Sequence, residues 1–212
     1  LDSCEFYEES ADYYRRAYAQ RPDEHALYHY SIGMCYFRMG KYDEAAVIFR
    51  QGIEFKPDSI ILLNELGNVS LKQGKTEDAI LLYKKAIKAN PYDISSHSSL
   101  GKLFRERNDY KKALYHERKA LSLEPDLAEN NYSVAQIYAL MGERDKALKY
   151  LKKTIVLDGD FLRIAKRDSI LKPVFSLLPD EMKIAKKTDD NKFVETPLAI
   201  KNYRRDLIDS SF

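Results

Sequence analysis

Apolar side chains recur along this chain with helical spacing, and short polar or turn-forming breaks separate them. From about Glu24 to Met39, Ile32 and Cys35 lie three apart and share a side. From about Tyr42 to Phe55, Ala45, Ile48, Phe49 and Ile53 form one apolar stripe, as expected of an amphipathic helix. Gly40 and Lys41 separate the two segments, and Pro57 with Asp58 ends the second. Proline lacks a backbone donor and disfavours helix at the residue before it, so the chain should break there. The pattern predicts a pair of helices, A and B, joined by a tight turn.

The pair then repeats. Pro57, Pro91 and Pro125 are 34 residues apart, and Gly159 falls one further step on. Pro22 precedes Pro57 by 35, which places one extra residue in a linker. Three more columns keep the step: Gly33, Gly67, Gly101 and Ala135; Ala45, Ala79, Ala113 and Ala147; Gly40, Gly74, Asn108 and Gly142. Four columns in one register indicate a repeat array. Glycine inside a helix costs about 1 kcal/mol relative to alanine, so the column at Gly33 requires a cause. A small residue there lets helices A and B cross closely.

These columns resemble the tetratricopeptide repeat. The family's small residue at the eighth position matches Gly33, Gly67, Gly101 and Ala135. Its bulky position in helix A matches Tyr36, Phe104 and Tyr138, with Ser70 departing. Its helix B alanine matches Ala45, Ala79, Ala113 and Ala147. The aromatic one turn later matches Phe49 and Tyr83 and is replaced by Glu117 and Leu151. The usual first-helix tryptophan is absent: His29, Leu63, His97 and Asn131 stand there. The resemblance implies an all-α fold, a right-handed superhelical solenoid of antiparallel helix pairs.

Full repeats are expected at about 24–57, 58–91, 92–125 and 126–159. Tyr7, Ser10, Tyr14 and Ala17 suggest helix B of a partial repeat over 5–22. Residues 160–178 read as a degenerate capping unit. There Pro173 opens a short helix, and Leu171, Val174, Phe175, Leu177 and Leu178 cover the last apolar face. The charged stretch 179–196 reads as a linker, and Pro197 opens a C-terminal amphipathic helix over 197–212 with Leu198, Tyr203, Leu207 and Ile208. The sequence begins at Leu1 and not methionine, which suggests a fragment or processed form. Leu1, Asp2, Ser3 and Cys4 match a lipoprotein signal end poorly, because no apolar segment precedes them.

In the family resembled, the A helices line a concave face that holds a peptide or a partner's helix. That implies a non-enzymatic protein-interaction scaffold. Groove candidates are then Tyr30, Met34 and Phe37 in the first unit, Asn64 and Asn68 in the second, Lys102 and Arg105 in the third, and Tyr132 and Gln136 in the fourth. Tyr30, Met34 and Phe37 share one helix face. Asn64 and Asn68 could grip an extended backbone through amide donors and acceptors. Lys102 and Arg105 could pair with a carboxylate or phosphate. Two alternatives stand beside this reading: a self-association module, and a regulatory or adaptor domain of a larger protein.

A family subset docks the acidic C-terminal tail of chaperones through a carboxylate clamp. Here the clamp positions carry Tyr30 and Met34, then Glu65, then Ser95 and Ser99. One unit later they carry Asn64 and Asn68, then Ser99, then Glu129 and Ser133. Only Asn68 matches, so a chaperone tail is not expected.

Composition narrows the remaining classes. Among 212 residues, 35 basic side chains face 33 acidic ones, and the net charge of +2 is too small to argue for nucleic acid or a membrane as partner, neither of which is expected. No apolar run reaches membrane-spanning length. His25 and His29 lie at i,i+4, a metal-capable spacing, but no H-E-x-x-H motif surrounds them and His29 and His97 share one packing column. Cys35 aligns with Val69, Leu103 and Ile137 and reads as a core thiol. No clustered glycines form a phosphate loop, and no base activates Ser95, Ser96, Ser98 or Ser99. No enzyme activity, cofactor or metal is therefore expected. The sequons at Asn68 and Asn131 fall inside helices and read as chance. Unpaired Cys4 and Cys35, with no signal segment, suggest a cytoplasmic location.

Overall fold

The tight A-to-B turns are set by backbone conformation. In a computed structural model, which describes residues 3–20 and 25–183, Gly40, Gly74 and Gly142 have φ of 73°, 74° and 77°, and Asn108 has φ of 60°. Glycine enters this left-handed region without steric cost, and asparagine tolerates it better than other side chains. The Lys41 amide then donates to Tyr36 O at 2.9 Å and the Gly40 amide to Phe37 O at 3.0 Å. This pairing satisfies the last carbonyls of a helix and stops it. Lys75 to Ser70, Asp109 to Phe104 and Glu143 to Tyr138 repeat the bond.

The described elements are all helices: α1 (Ser3–Gln20), α2 (His25–Arg38), α3 (Tyr42–Phe55), α4 (Ile60–Lys72), α5 (Thr76–Ala89), α6 (Ile94–Glu106), α7 (Tyr110–Leu123), α8 (Ala128–Leu140), α9 (Arg144–Leu157), α10 (Phe161–Arg167), α11 (Lys172–Phe175) and α12 (Asp180–Lys183). The chain divides into two compact units, residues 1–100 and 101–212. Each consists of helices stacked on their sequence neighbours.

In the first unit α1 packs on α2, α2 on α3, α3 on α4 and α4 on α5. One core joins Ala45, Ala46 and Phe49 of α3 to Leu62, Leu66 and Val69 of α4. A second joins Ala11 of α1 to Ile32 and Cys35 of α2, with Tyr7 and Tyr14 partly buried against it. Cys35 is thus the core thiol that its column suggests, and burial pushes its pKa up. The glycine column has a steric cause. Gly33 lies against the Phe49 ring, and a Cβ on Gly67 would sit 2.7 Å from Cε1 of Tyr83.

In the second unit α7 packs on α8 and α8 on α9. A Cβ on Gly101 would lie 2.7 Å from Cγ of Glu117. Val134, Ala135 and Tyr138 of α8 meet Ala147, Leu151 and Ile155 of α9, and Leu162 and Ala165 of α10 continue the core. Leu171, Val174 and Leu178 close its end. Phe175 is only partly buried, and Leu177, expected in this cap, points outward at 48% exposure.

One linker expectation is corrected. Residues 180–183 form the helical turn α12, because Met182 buries its side chain in the same core. Residues 184–212, with the expected helix after Pro197, lie outside the described residues, as do Pro22 and its neighbours at 21–24. No described helix is long and apolar enough to cross a membrane.

Candidate functional site

The groove candidates of the first unit stand on α2 and α4. Tyr30, Met34 and Phe37 are each half-buried, packed by one side against the core of Phe49, Leu62, Leu66 and Val69. The Phe37 ring meets Tyr42 edge-on at 5.5 Å. Leu27, one turn before, is exposed. This row therefore combines a packing role with an apolar surface left toward solvent.

The two asparagines of α4 already have partners. Asn64 Nδ2 donates to Asp93 Oδ2 at 2.9 Å, and Ser96 Oγ donates to Asn64 Oδ1 at 2.7 Å. Asp93 precedes α6 and also accepts from the Ser96 amide at 2.9 Å, satisfying a donor that the helix start leaves open. Tyr83 Oη donates to Asn68 Oδ1 at 2.7 Å, and Asn68 Nδ2 donates to Glu65 at 3.1 Å. Burial pushes the Tyr83 phenol up to about 12, against a hydrogen bond with Ser99 that acts the other way. A ligand backbone would have to share or displace these bonds.

In the second unit the candidates meet two carboxylates that the repeat pattern did not single out as functional. Glu117 is buried, at 2% exposure. Ser133 Oγ donates to its Oε1 at 2.6 Å and Asn130 Nδ2 to its Oε2 at 2.8 Å. Burial pushes its pKa up to about 7, although these two bonds and the positive field of Arg105 pull the other way. Arg105 itself is half-buried, and its Nη1 is enclosed without a hydrogen-bond partner. Lys102 stays exposed and joins none of these bonds.

Asp168 forms the second centre. Tyr132 Oη and Gln136 Nε2 both donate to its Oδ2 at 2.6 Å, and the Ile170 amide donates to Oδ1 at 2.8 Å. Burial raises the Asp168 pKa, but the bonds from Tyr132, Gln136 and the Ile170 and Leu171 amides outweigh it and leave the group below its ordinary value. Tyr132 is pushed well above the usual phenol range, first by burial and then by Asp168. Tyr132 and Gln136 therefore converge, as one helix turn allows, but on an internal partner. Asp168 lies past the regular repeats, so no column could flag it. Glu117 did leave a signal, a charge in the column of Phe49 and Tyr83.

Among the described residues no group of three or more His, Cys, Asp or Glu is placed to hold a metal ion. His29 is buried with its ring 5.7 Å from Phe55, and His97 Nε2 lies 3.2 Å from Pro91 O. Both serve packing.

Comparison with known proteins agrees with the helix pairing. Three tetratricopeptide-repeat profiles match, described as tetratricopeptide repeat over 26–59, TPR repeat over 67–104 and tetratricopeptide repeat over 128–160. No curated protein matches the sequence. Among solved structures, MamA superposes with a TM-score of 0.63 at 23% identity, covering 76% of this chain and 87% of that one. YrrB, described as a TPR protein with an unusual peptide-binding site, gives 0.60 at 22%, covering 84% and 87%. PilF of Pseudomonas aeruginosa gives 0.65 at 19%, covering 73% and 69%. Identities this low establish a shared fold only.

Proposed function

Because this chain belongs to the tetratricopeptide repeat family, whose fold serves as a protein-interaction scaffold, we propose that it binds a peptide segment or helix of a partner protein along the exposed sides of its A helices. The observation that carries this reading is the α2 row. Leu27 is exposed, and Tyr30, Met34 and Phe37 are half-buried, so apolar surface is left in contact with water. Apolar rows of this kind commonly mark a contact. Asn64 and Asn68 on α4 offer polar partners beside it. Where a peptide shares their bonds to Asp93, Ser96, Glu65 and Tyr83 rather than displacing them, those bonds keep the amides oriented, which lowers the ordering cost of gripping it. The peptide-binding site described for YrrB is consistent with this use of the fold.

A displayed random-peptide library, selected on the intact chain, tests the proposal. Selected peptides should lose about tenfold or more in affinity with Tyr30→Ala/Met34→Glu, the scale expected when an apolar anchor is removed. Helical circular dichroism should stay unchanged. Peptides that bind both proteins equally would move the contact off α2.

A further inference from the structure

The near-zero net charge conceals a segregation of charge among the B helices. Helix α3 carries three acids against one base, and α5 two acids against three bases. Helix α7 carries one acid against four bases, and α9 one acid against five. The single acid of α7 is Glu117, which faces the core, so every charged side chain on the outer side of that helix is basic. Lys112 and Lys146 pair with Asp109 and Glu143, and Lys153 with Asp126. Lys111, Arg118, Lys119, Arg144 and Lys149 make no salt bridge among the described residues.

Lys111, Leu114, Tyr115, Arg118, Lys119 and Ser122 recur at spacings of three and four along α7 and border one shallow, open depression. Tyr115 is 57% exposed and stands in the column of Val47 and Leu81, which are exposed as well. Lys119 Nζ sits 6.0 Å over the Tyr115 ring, and His116 meets that ring edge-on at 5.1 Å. This face thus joins the partly buried Leu114 and the exposed Tyr115 to three cations.

We propose that this outer face of α7, extended by α9, is a second docking surface, and that its occupant is an acidic segment of a partner protein carrying an apolar or aromatic residue among its carboxylates. The cations would pair with the carboxylates, Arg118 by its two-pronged geometry. The Leu114 and Tyr115 surfaces would cover the apolar residue. The surface is independent of the A-helix reading, since it lies on B helices.

Fluorescence anisotropy with the intact chain tests this. The probes are a labelled nonapeptide, EDLEEFDEL; its Gln/Asn counterpart; a poly-uridine 20-mer; and phosphatidylcholine vesicles with phosphatidylserine. At about 50 mM salt, where surface charges are least screened, the acidic peptide should bind and the amide counterpart should not. Lys111→Glu/Arg118→Glu should weaken binding at least about tenfold. Tyr115→Ala should weaken it severalfold, because the apolar contact is lost. Lys84→Glu/Lys85→Glu on α5 changes total charge equally and should leave binding within about twofold. All substituted residues are exposed, so helical dichroism should be unchanged. Failure of the acidic peptide to bind overturns the proposal. So does equal weakening by the α5 pair, or preferential binding of the RNA or the vesicles.

Discussion

Phe49→Ala is expected to lower the unfolding free energy by about 3–5 kcal/mol, the range for deleting a fully buried aromatic ring. Phe49 is wholly buried on α3, where it packs with Leu62, Leu66 and Val69 of α4 and lies against the backbone of α2 at Gly33. Removing the ring opens a cavity that stiff helix backbones on three sides cannot close. The same contact explains the glycine: Gly33→Ala would drive a methyl group into the ring. In an alanine background at 49 that methyl finds room, so the double variant should be less destabilised than the two single losses summed, by 1 kcal/mol or more. Urea unfolding followed by circular dichroism measures all three. A Phe49→Ala effect below about 1 kcal/mol would contradict the packing described.

Glu117→Gln should stabilise the protein at neutral pH and flatten its pH dependence. The folded carboxyl has a pKa of about 7 against an ordinary 4.5. Below about pH 4.5 the group is protonated in both states and costs nothing. As pH rises from there to about 7, the unfolded chain releases its proton while the folded one retains it, so stability falls. A difference of this size corresponds to about 3 kcal/mol of stability lost across that window. Glutamine has the same shape, so its contact with Gly101 persists. Its oxygen can accept from Asn130 while its NH2 donates to the Ser133 hydroxyl, which can reverse its role. Asp168 and Asp109, both held below their ordinary values, act with the opposite sign and in the acid range, below about pH 4. Identical slopes for the two proteins between pH 5 and pH 7.5, in chemical unfolding at a series of pH values, would show that Glu117 is not held in this way.

The repeat register was legible because it depends on local rules. A left-handed turn after helix A admits glycine or asparagine, and Gly40, Gly74, Asn108 and Gly142 occupy it at one spacing. A helix crossing too close for a large side chain selects Ala45, Ala79, Ala113 and Ala147, all fully buried. Even the exception at Glu117 was visible as a charge in an aromatic column. The irregular end was less legible. Leu177 lies on the outward side of its turn and Met182 on the inward side, and short helical turns there carry too few residues to show a period.

What the sequence by itself determined is the helix pairing, its period, the residues that face inward and the family to which they belong. Only the tertiary structure decided what the polar residues do. Asn64 finds Asp93 across 29 positions, and Tyr132 finds Asp168 across 36. Burial moves the Glu117 proton to neutral pH, and the α7 cations gather about Tyr115 while the total charge stays near zero. The physical reason is range. Apolar burial is non-directional and follows the local helical period, so it is written into spacing. A hydrogen bond or ion pair requires two groups within a few ångströms in a set direction, and only the packed chain brings them there.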